Sequence, residues 1–75
     1  MRNTAETAAG HIRVNGEERP VDGPLTVADL VAALDMTQRR IAVEINGRIV
    51  ARSGFAHSVI VPGDRVEIVV AVGGG

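Results

Sequence analysis

Cysteine is absent from this sequence of 75 residues, and so are lysine, tryptophan and tyrosine. Without cysteine the chain can form no disulfide, no thiolate-bound metal site and no iron–sulfur cluster. Phe55 is the single aromatic residue, the eight arginines are scattered, and the net charge is -1. Because nucleic-acid-binding domains carry a basic face, often with aromatic side chains, we expect no nucleic-acid partner.

Long apolar runs are also missing. No stretch approaches the roughly 18 apolar residues of a membrane-spanning helix, and residues 1–10 lack the apolar centre of a signal peptide. We therefore expect a cytoplasmic protein with no membrane partner. A chain of 75 residues, 45% of them hydrophobic, has room for one domain with one core. The predominance of Val, Ile, Leu and Ala favours a sheet with a short helix.

Two Asn-Gly dipeptides, Asn15-Gly16 and Asn46-Gly47, mark the tightest turns. Each follows a segment in which apolar and polar residues alternate, and Asn-Gly is typical of the type I′ turn, whose two central residues have positive φ. Pro20 cannot donate a ladder hydrogen bond, so the strand that contains it should lie at a sheet edge. The strands predicted around these turns are His11–Asn15, Glu17–Val21, Ile41–Asn46 and Arg48–Ala51.

A helix is predicted to begin at Thr26. Thr26 and Asp29 have the spacing of a capping box, in which each side chain pairs with the other residue's backbone N–H. Apolar residues then recur with helical spacing, and the pattern ends near Asp35 or Met36. The apolar positions are Val27, Leu30, Val31 and Leu34.

The last strand, Arg65–Val72, is apolar enough on both faces to be central. It follows a predicted irregular segment with a short helical turn around Phe55, and the turn signature Pro62-Gly63-Asp64. A helix that lies between two hairpins in sequence can bury its apolar face only by packing across the sheet that the hairpins form. The first and last strands then pair in the middle of that sheet. This order predicts an α+β fold, a ubiquitin-like β-grasp with a mixed four- to five-stranded sheet on one main helix. The predicted divisions are a disordered extension (residues 1–10), the domain (residues 11–72) and a flexible glycine tail (residues 73–75).

The sequence shows no set of residues with the types and spacing of a catalytic site. His11 and His57 have no acidic or nucleophilic companion at a meaningful spacing, and Ser53 and Ser58 have no neighbouring base. No metal-binding loop or phosphate-binding glycine loop occurs. We therefore interpret the histidines as surface residues and expect no catalysis, no metal and no permanently bound cofactor.

The three glycines at the end of the sequence have two interpretations. They are a frayed end, or they carry the Gly75 carboxylate as a reactive group on a mobile approach. Val72, Gly73, Gly74 and Gly75 extend to about 13 Å, and glycines pass through narrow channels because they lack Cβ atoms. The carboxylate becomes an acylating group once AMP is transferred to it, so the chemistry would belong to a partner enzyme.

Five motifs in this order resemble one family, the ThiS sulfur carriers of thiamine thiazole biosynthesis. The resemblance covers residues 11–75. The motifs are Ile12-Arg-Val-Asn-Gly-Glu17, Thr26-Val-Ala-Asp-Leu30, Val43-Glu-Ile-Asn-Gly47 with Ile49-Val50, Pro62-Gly63-Asp64-Arg-Val-Glu-Ile-Val69, and the terminal Gly74-Gly75.

The resemblance implies that an E1-like adenylyltransferase uses MgATP to convert the Gly75 carboxylate to an acyl-adenylate. A cysteine desulfurase or another persulfide source then supplies sulfur, which makes a thiocarboxylate. Thiazole synthase accepts this sulfur. The ten-residue extension departs from the family pattern, and we assign it no function.

Other functions share the fold. The molybdopterin synthase small subunit is disfavoured because that family has a longer segment after the helix and prolines before its glycines. Carriers for cysteine synthesis or tRNA thiolation, a ubiquitin-like modifier, and a binding module with an incidental tail remain alternatives. Val69 and Ala71 are apolar on the predicted solvent face of the last strand. We expect them to form a docking patch with Val72, Gly73 and Gly74; the alternatives are a face covered by neighbouring side chains and an apolar solvent face that is simply tolerated.

Overall fold

The computed structural model describes residues 9–71, which form seven strands and one α-helix. A single 3₁₀ turn, Arg52–Gly54, lies beside Phe55, as the sequence predicts. No helix in residues 9–71 has the length and hydrophobicity needed to cross a membrane. The elements in chain order are β1 (Gly10–Val14), β2 (Glu17–Val21), β3 (Leu25–Thr26), α1 (Val27–Ala33), β4 (Ile41–Ile45), β5 (Arg48–Val50), β6 (Val59–Ile60) and β7 (Arg65–Val70).

Five strands form one mixed sheet in the order β2-β1-β7-β4-β5. The last strand, β7, is central and runs parallel to β1 and antiparallel to β4. β2, which contains Pro20, lies at the edge, as predicted. Positive φ at Asn15 (51°) and Asn46 (51°), and at the glycine after each, confirms both tight turns. The predicted β-grasp sheet is therefore present with its first and last strands paired.

The core lies between this sheet and α1. Alternation along each strand places one set of side chains against the helix and the other in solvent. A two-stranded sheet of β3 and β6 lies apart from the main sheet. The sequence patterns did not predict this second sheet. The buried hydrophobic residues are Ile12, Val27, Leu30, Val31, Val43, Phe55, Ile60, Val66 and Ile68.

The helix begins as predicted and ends earlier. The Asp29 N–H donates to Thr26 Oγ1 (3.0 Å), and the Thr26 N–H donates to Asp29 Oδ2 (3.1 Å), which completes the capping box. The predicted end near Asp35 or Met36 is wrong, since α1 stops at Ala33. Asp35 adopts φ 60°, which no α-helix accommodates.

Strand ends differ from the predicted ones by one or two residues. β1 begins at Gly10, which pairs with Val21 and was placed in the predicted extension. β4 ends at Ile45 because Asn46 enters the turn, and β5 ends at Val50. β7 ends at Val70, before Ala71.

Candidate functional site at the end of the last strand

β7 leads into the glycines, and two asparagine side chains hold it in place. On the β1 side, the Asn15 side-chain amide forms two hydrogen bonds with the backbone of Ile68. Nδ2 donates to the Ile68 carbonyl (3.0 Å), and Oδ1 accepts from the Ile68 N–H (2.7 Å). The Asn15 N–H itself donates to the Val66 carbonyl (2.9 Å). The side chain thus continues the parallel ladder where the β1 backbone turns away.

On the β4 side, Asn46 anchors the beginning of β7. Its N–H donates to the Arg65 carbonyl (2.7 Å), and its Oδ1 accepts from the Arg65 N–H (2.9 Å). Its Nδ2 donates to Asp64 Oδ1 (3.0 Å), and Asp64 Oδ2 accepts from the Val61 N–H (2.9 Å). The second Asn-Gly turn and the turn before β7 are therefore joined by side-chain hydrogen bonds.

The sequence patterns predict only turns at Asn15 and Asn46. A turn of this type also accepts Asp or Gly at the first position. The only signal of a second function is that both turns use Asn, the one of these residues that both donates and accepts through its side chain. That signal does not identify the strand that is bound.

The solvent face of β7 is apolar near its end. Val69 is 64% exposed and lies opposite Ala42 of β4, which is also exposed. Ala71 is exposed as well, and its N–H donates to the Arg40 carbonyl (2.9 Å). Within residues 9–71, neighbouring side chains do not cover this face, so the alternative of a covered face does not hold for Val69.

Charges on the same face are segregated by sign. Glu44 and Glu67 lie directly opposite each other on β4 and β7. Arg13 and Arg65 are neighbours on β1 and β7. Among residues 9–71 the one ion pair joins Arg13 to Glu18 of β2 (3.5 Å). Like charges opposite each other in a sheet are unfavourable in isolation. Along this face towards its end, β7 carries a basic residue (Arg65), then an acidic residue (Glu67), then an apolar residue (Val69).

A shallow depression of about 270 Å³ adjoins the apolar end of β7. Arg40 and Arg52 border it. Arg52 is held by its Nη2, which donates to the Thr37 carbonyl (3.4 Å), and lies 6.0 Å from the centroid of the Phe55 ring. Two arginines, Arg40 and Arg52, thus border the depression at the end of β7.

The remaining predicted residues are dispersed. His11 lies exposed on β1, His57 lies exposed in the turn before β6, Ser53 is exposed and Ser58 is half-buried. No group of three potential metal ligands occurs within residues 9–71. Val72, Gly73, Gly74 and Gly75 lie outside the described residues, so the structure does not test their predicted role.

The central β7, the helix across the sheet and the apolar end of β7 define a ubiquitin-like β-grasp domain. The crystal structure of the thiamine biosynthesis protein ThiS from Geobacter metallireducens has this fold. It is 37% identical, with a TM-score of 0.75, over 87% of this chain and 99% of that one. A solution structure of a thiamine biosynthesis protein from the same organism has a TM-score of 0.71.

The model of the ThiS family matches residues 12–75. A protein of Porphyra purpurea, ycf40, is 39% identical over 64 residues, which are 85% of this chain and 90% of that protein. A thiazole synthase of Paramagnetospirillum magneticum is 42% identical over 62 residues, 83% of this chain and 19% of the synthase. This chain spans about a fifth of the length of the thiazole synthases it matches. The chain belongs to the ThiS family, the family that its sequence motifs resemble.

Proposed function

We propose that this chain is a sulfur carrier in thiamine biosynthesis and that its Gly75 carboxylate receives the sulfur. The observation that supports this proposal is the family match over residues 12–75, which includes Gly73, Gly74 and Gly75. The fold is consistent with it, since β7 is hydrogen-bonded on the β1 side as far as Ile68 and on the β4 side as far as Ala71. A rigid strand would present the glycines in one direction to a partner enzyme.

The proposed chemistry takes place on the partner enzymes. A Gly75 carboxylate oxygen attacks the α-phosphorus of ATP, and pyrophosphate leaves to give an acyl-adenylate. The terminal sulfur of a persulfide then attacks the carbonyl carbon and AMP leaves. A thiol cleaves the S–S bond of the resulting acyl disulfide, which yields the thiocarboxylate and a new disulfide. The carrier supplies only the carboxylate, and MgATP would bind to the adenylyltransferase.

Thiazole synthase is the proposed acceptor of the sulfur. Two relatives that are named thiazole synthase each contain a segment that matches 83% or 85% of this chain. Placing carrier and acceptor in one polypeptide raises their effective concentration, which favours transfer between them. This juxtaposition in relatives supports thiazole synthase over acceptors of other pathways.

The intact mass of the chain tests the proposal. After incubation with the cognate E1-like adenylyltransferase, MgATP and a persulfide source, we expect replacement of one oxygen by sulfur. The chain without Gly75 should fold normally and remain unmodified. Conjugation to other proteins would indicate a ubiquitin-like modifier instead. An unchanged mass with an adenylyltransferase that is active on another carrier would contradict the proposal.

A further inference from the structure

Within residues 9–71, the backbone of β7 has an open edge at Val70, on the side that faces β1. On the β4 side, the Asn46 N–H donates to Arg65, and the Ala71 N–H donates to Arg40. In an antiparallel ladder, alternate residues bond to the same neighbour. The odd-numbered residues of β7 therefore direct their N–H and C=O groups to β4.

The even-numbered residues of β7 face β1. The Asp64 and Val66 carbonyls accept from β1 and its turn, and Ile68 pairs with the Asn15 side chain at both of its backbone groups. Val70 is the next residue in this series. Its N–H and C=O point to the side where the chain has already turned back at Gly16, so no residue of β1 continues far enough to meet them.

This gap has a defined shape. The Asn15-Gly16 turn closes one end, and the strand pair β7–β4 forms its floor, since Ala71 stays bonded to β4. The Val70 side chain is half-buried on the core side, while Val69 and Ala71 are exposed on the other face. The Val70 N–H and C=O belong to an extended strand, and such groups pair best with the backbone of another extended segment.

From this edge, we propose that an extended segment of thiazole synthase, the proposed acceptor of the sulfur, adds to β7 at Val70. The inference rests on the proposed function, because an enzyme that receives the tail must lie where β7 ends. The turn at Asn15 prevents the added strand from extending towards the start of β7. Recognition would use backbone hydrogen bonds and would not depend on the Val70 side chain.

Amide hydrogen exchange of Val70 is the direct test, with the full chain and the cognate thiazole synthase. In the free chain the Val70 N–H should exchange at least about tenfold faster than the bonded amides of Ile68 and Ala71, since exchange follows local hydrogen bonding. In the complex it should become protected by at least about tenfold. Protection in the free chain at low concentration, or no protection in a complex that forms, would overturn the inference.

A substitution pair provides the second test. Val70→Pro removes an N–H that points away from β4 and meets no residue of β1, a setting in which proline is tolerated, whereas Val70→Ala keeps the N–H and shortens the side chain. We expect Val70→Pro to fold but to bind the partner at least about threefold more weakly than Val70→Ala, the effect of about one net hydrogen bond. Equal binding by the two folded variants would contradict strand addition.

The outcomes separate this inference from the proposed function. If the wild-type chain is not thiolated, the proposed function fails, and protection of Val70 in the complex still decides the inference. If the chain is thiolated while Val70 remains unprotected in the complex, only the inference fails. Protection that appears when the free chain is concentrated, together with dimers in sedimentation, would assign the edge to a second copy and overturn the inference.

Discussion

Asn15 shows at the residue scale how one side chain serves two structures. Its positive φ forms the turn, and its amide substitutes for a missing strand residue beside Ile68. An amide can donate and accept at once, whereas a carboxylate only accepts. The hydrogen bonds to Ile68 should therefore depend on the amide and not merely on the size of the side chain.

We predict that Asn15→Asp lowers the free energy of unfolding by about 1–3 kcal/mol, the cost of an unpaired or repelled polar group. The substitution keeps the shape and the turn but places a carboxylate oxygen against the Ile68 carbonyl. Urea unfolding measures the change. Gln38→Glu, the same chemical change at an exposed residue, should cost less than about 0.5 kcal/mol. Equal costs for the two variants would show that the hydrogen bonds of the Asn15 amide add nothing to the free energy of unfolding.

At the scale of the element, α1 ends in a Schellman motif. The Met36 N–H donates to the Val31 carbonyl (2.9 Å), and the Asp35 N–H donates to the Ala32 carbonyl (3.0 Å). The left-handed position of this motif is usually glycine, because a Cβ is unfavourable there. Here it is Asp35, whose carboxylate also lies at the negative end of the helix dipole. Two unfavourable features thus coincide in one residue.

We predict that Asp35→Gly raises the free energy of unfolding by about 0.5–1 kcal/mol, because it relieves both features at the cost of some chain entropy. Thermal and urea unfolding measure the gain. Asp35→Ala removes the same charge and keeps a Cβ, so it should be no more stable than the wild type. A destabilised glycine variant would mean that the aspartate makes a contribution that this geometry does not explain.

At the scale of the whole molecule, the exposed valines differ by location. Val69 (64% exposed) lies on β7 at the candidate site, whereas Val59 (54% exposed) lies on β6 in the separate two-stranded sheet. Both are valines in strands, and a charge at either exposed site should cost little stability. They form a matched pair for testing whether the face around Val69 docks a partner.

We predict that Val69→Asp slows adenylation and sulfur transfer by about tenfold or more, as expected when a central apolar contact of an interface is lost. Val59→Asp should leave both rates within about twofold, as expected for a residue outside the interface. Single-turnover assays with the cognate enzymes measure the rates. Wild-type rates for Val69→Asp would exclude the docking patch, since the substitution leaves the glycine tail itself intact.

Local sequence patterns predicted much of the fold because they specify dihedral angles and periodicity. Asn-Gly requires positive φ, the spacing of Thr26 and Asp29 specifies a capping box, and the double-sided apolar pattern of the last strand requires a central position. The Asp35 position was missed because the apolar pattern continues past the last helical residue. The role of Gly75 was also predicted from sequence and stays a prediction.

Tertiary structure decided what depends on register between distant strands. Asn15 and Ile68 are 53 residues apart in sequence, so no local pattern identifies their pairing. The same register places Glu44 opposite Glu67 and leaves Val70 with a partner on β4 but none on β1, which has already turned back. Side-chain alternation is local, whereas the strand that pairs with each backbone group is set by the packing of the whole sheet on α1. The sequence patterns therefore predict a β-grasp, and the family resemblance a carrier, whereas the folded chain places the open edge at the end of β7.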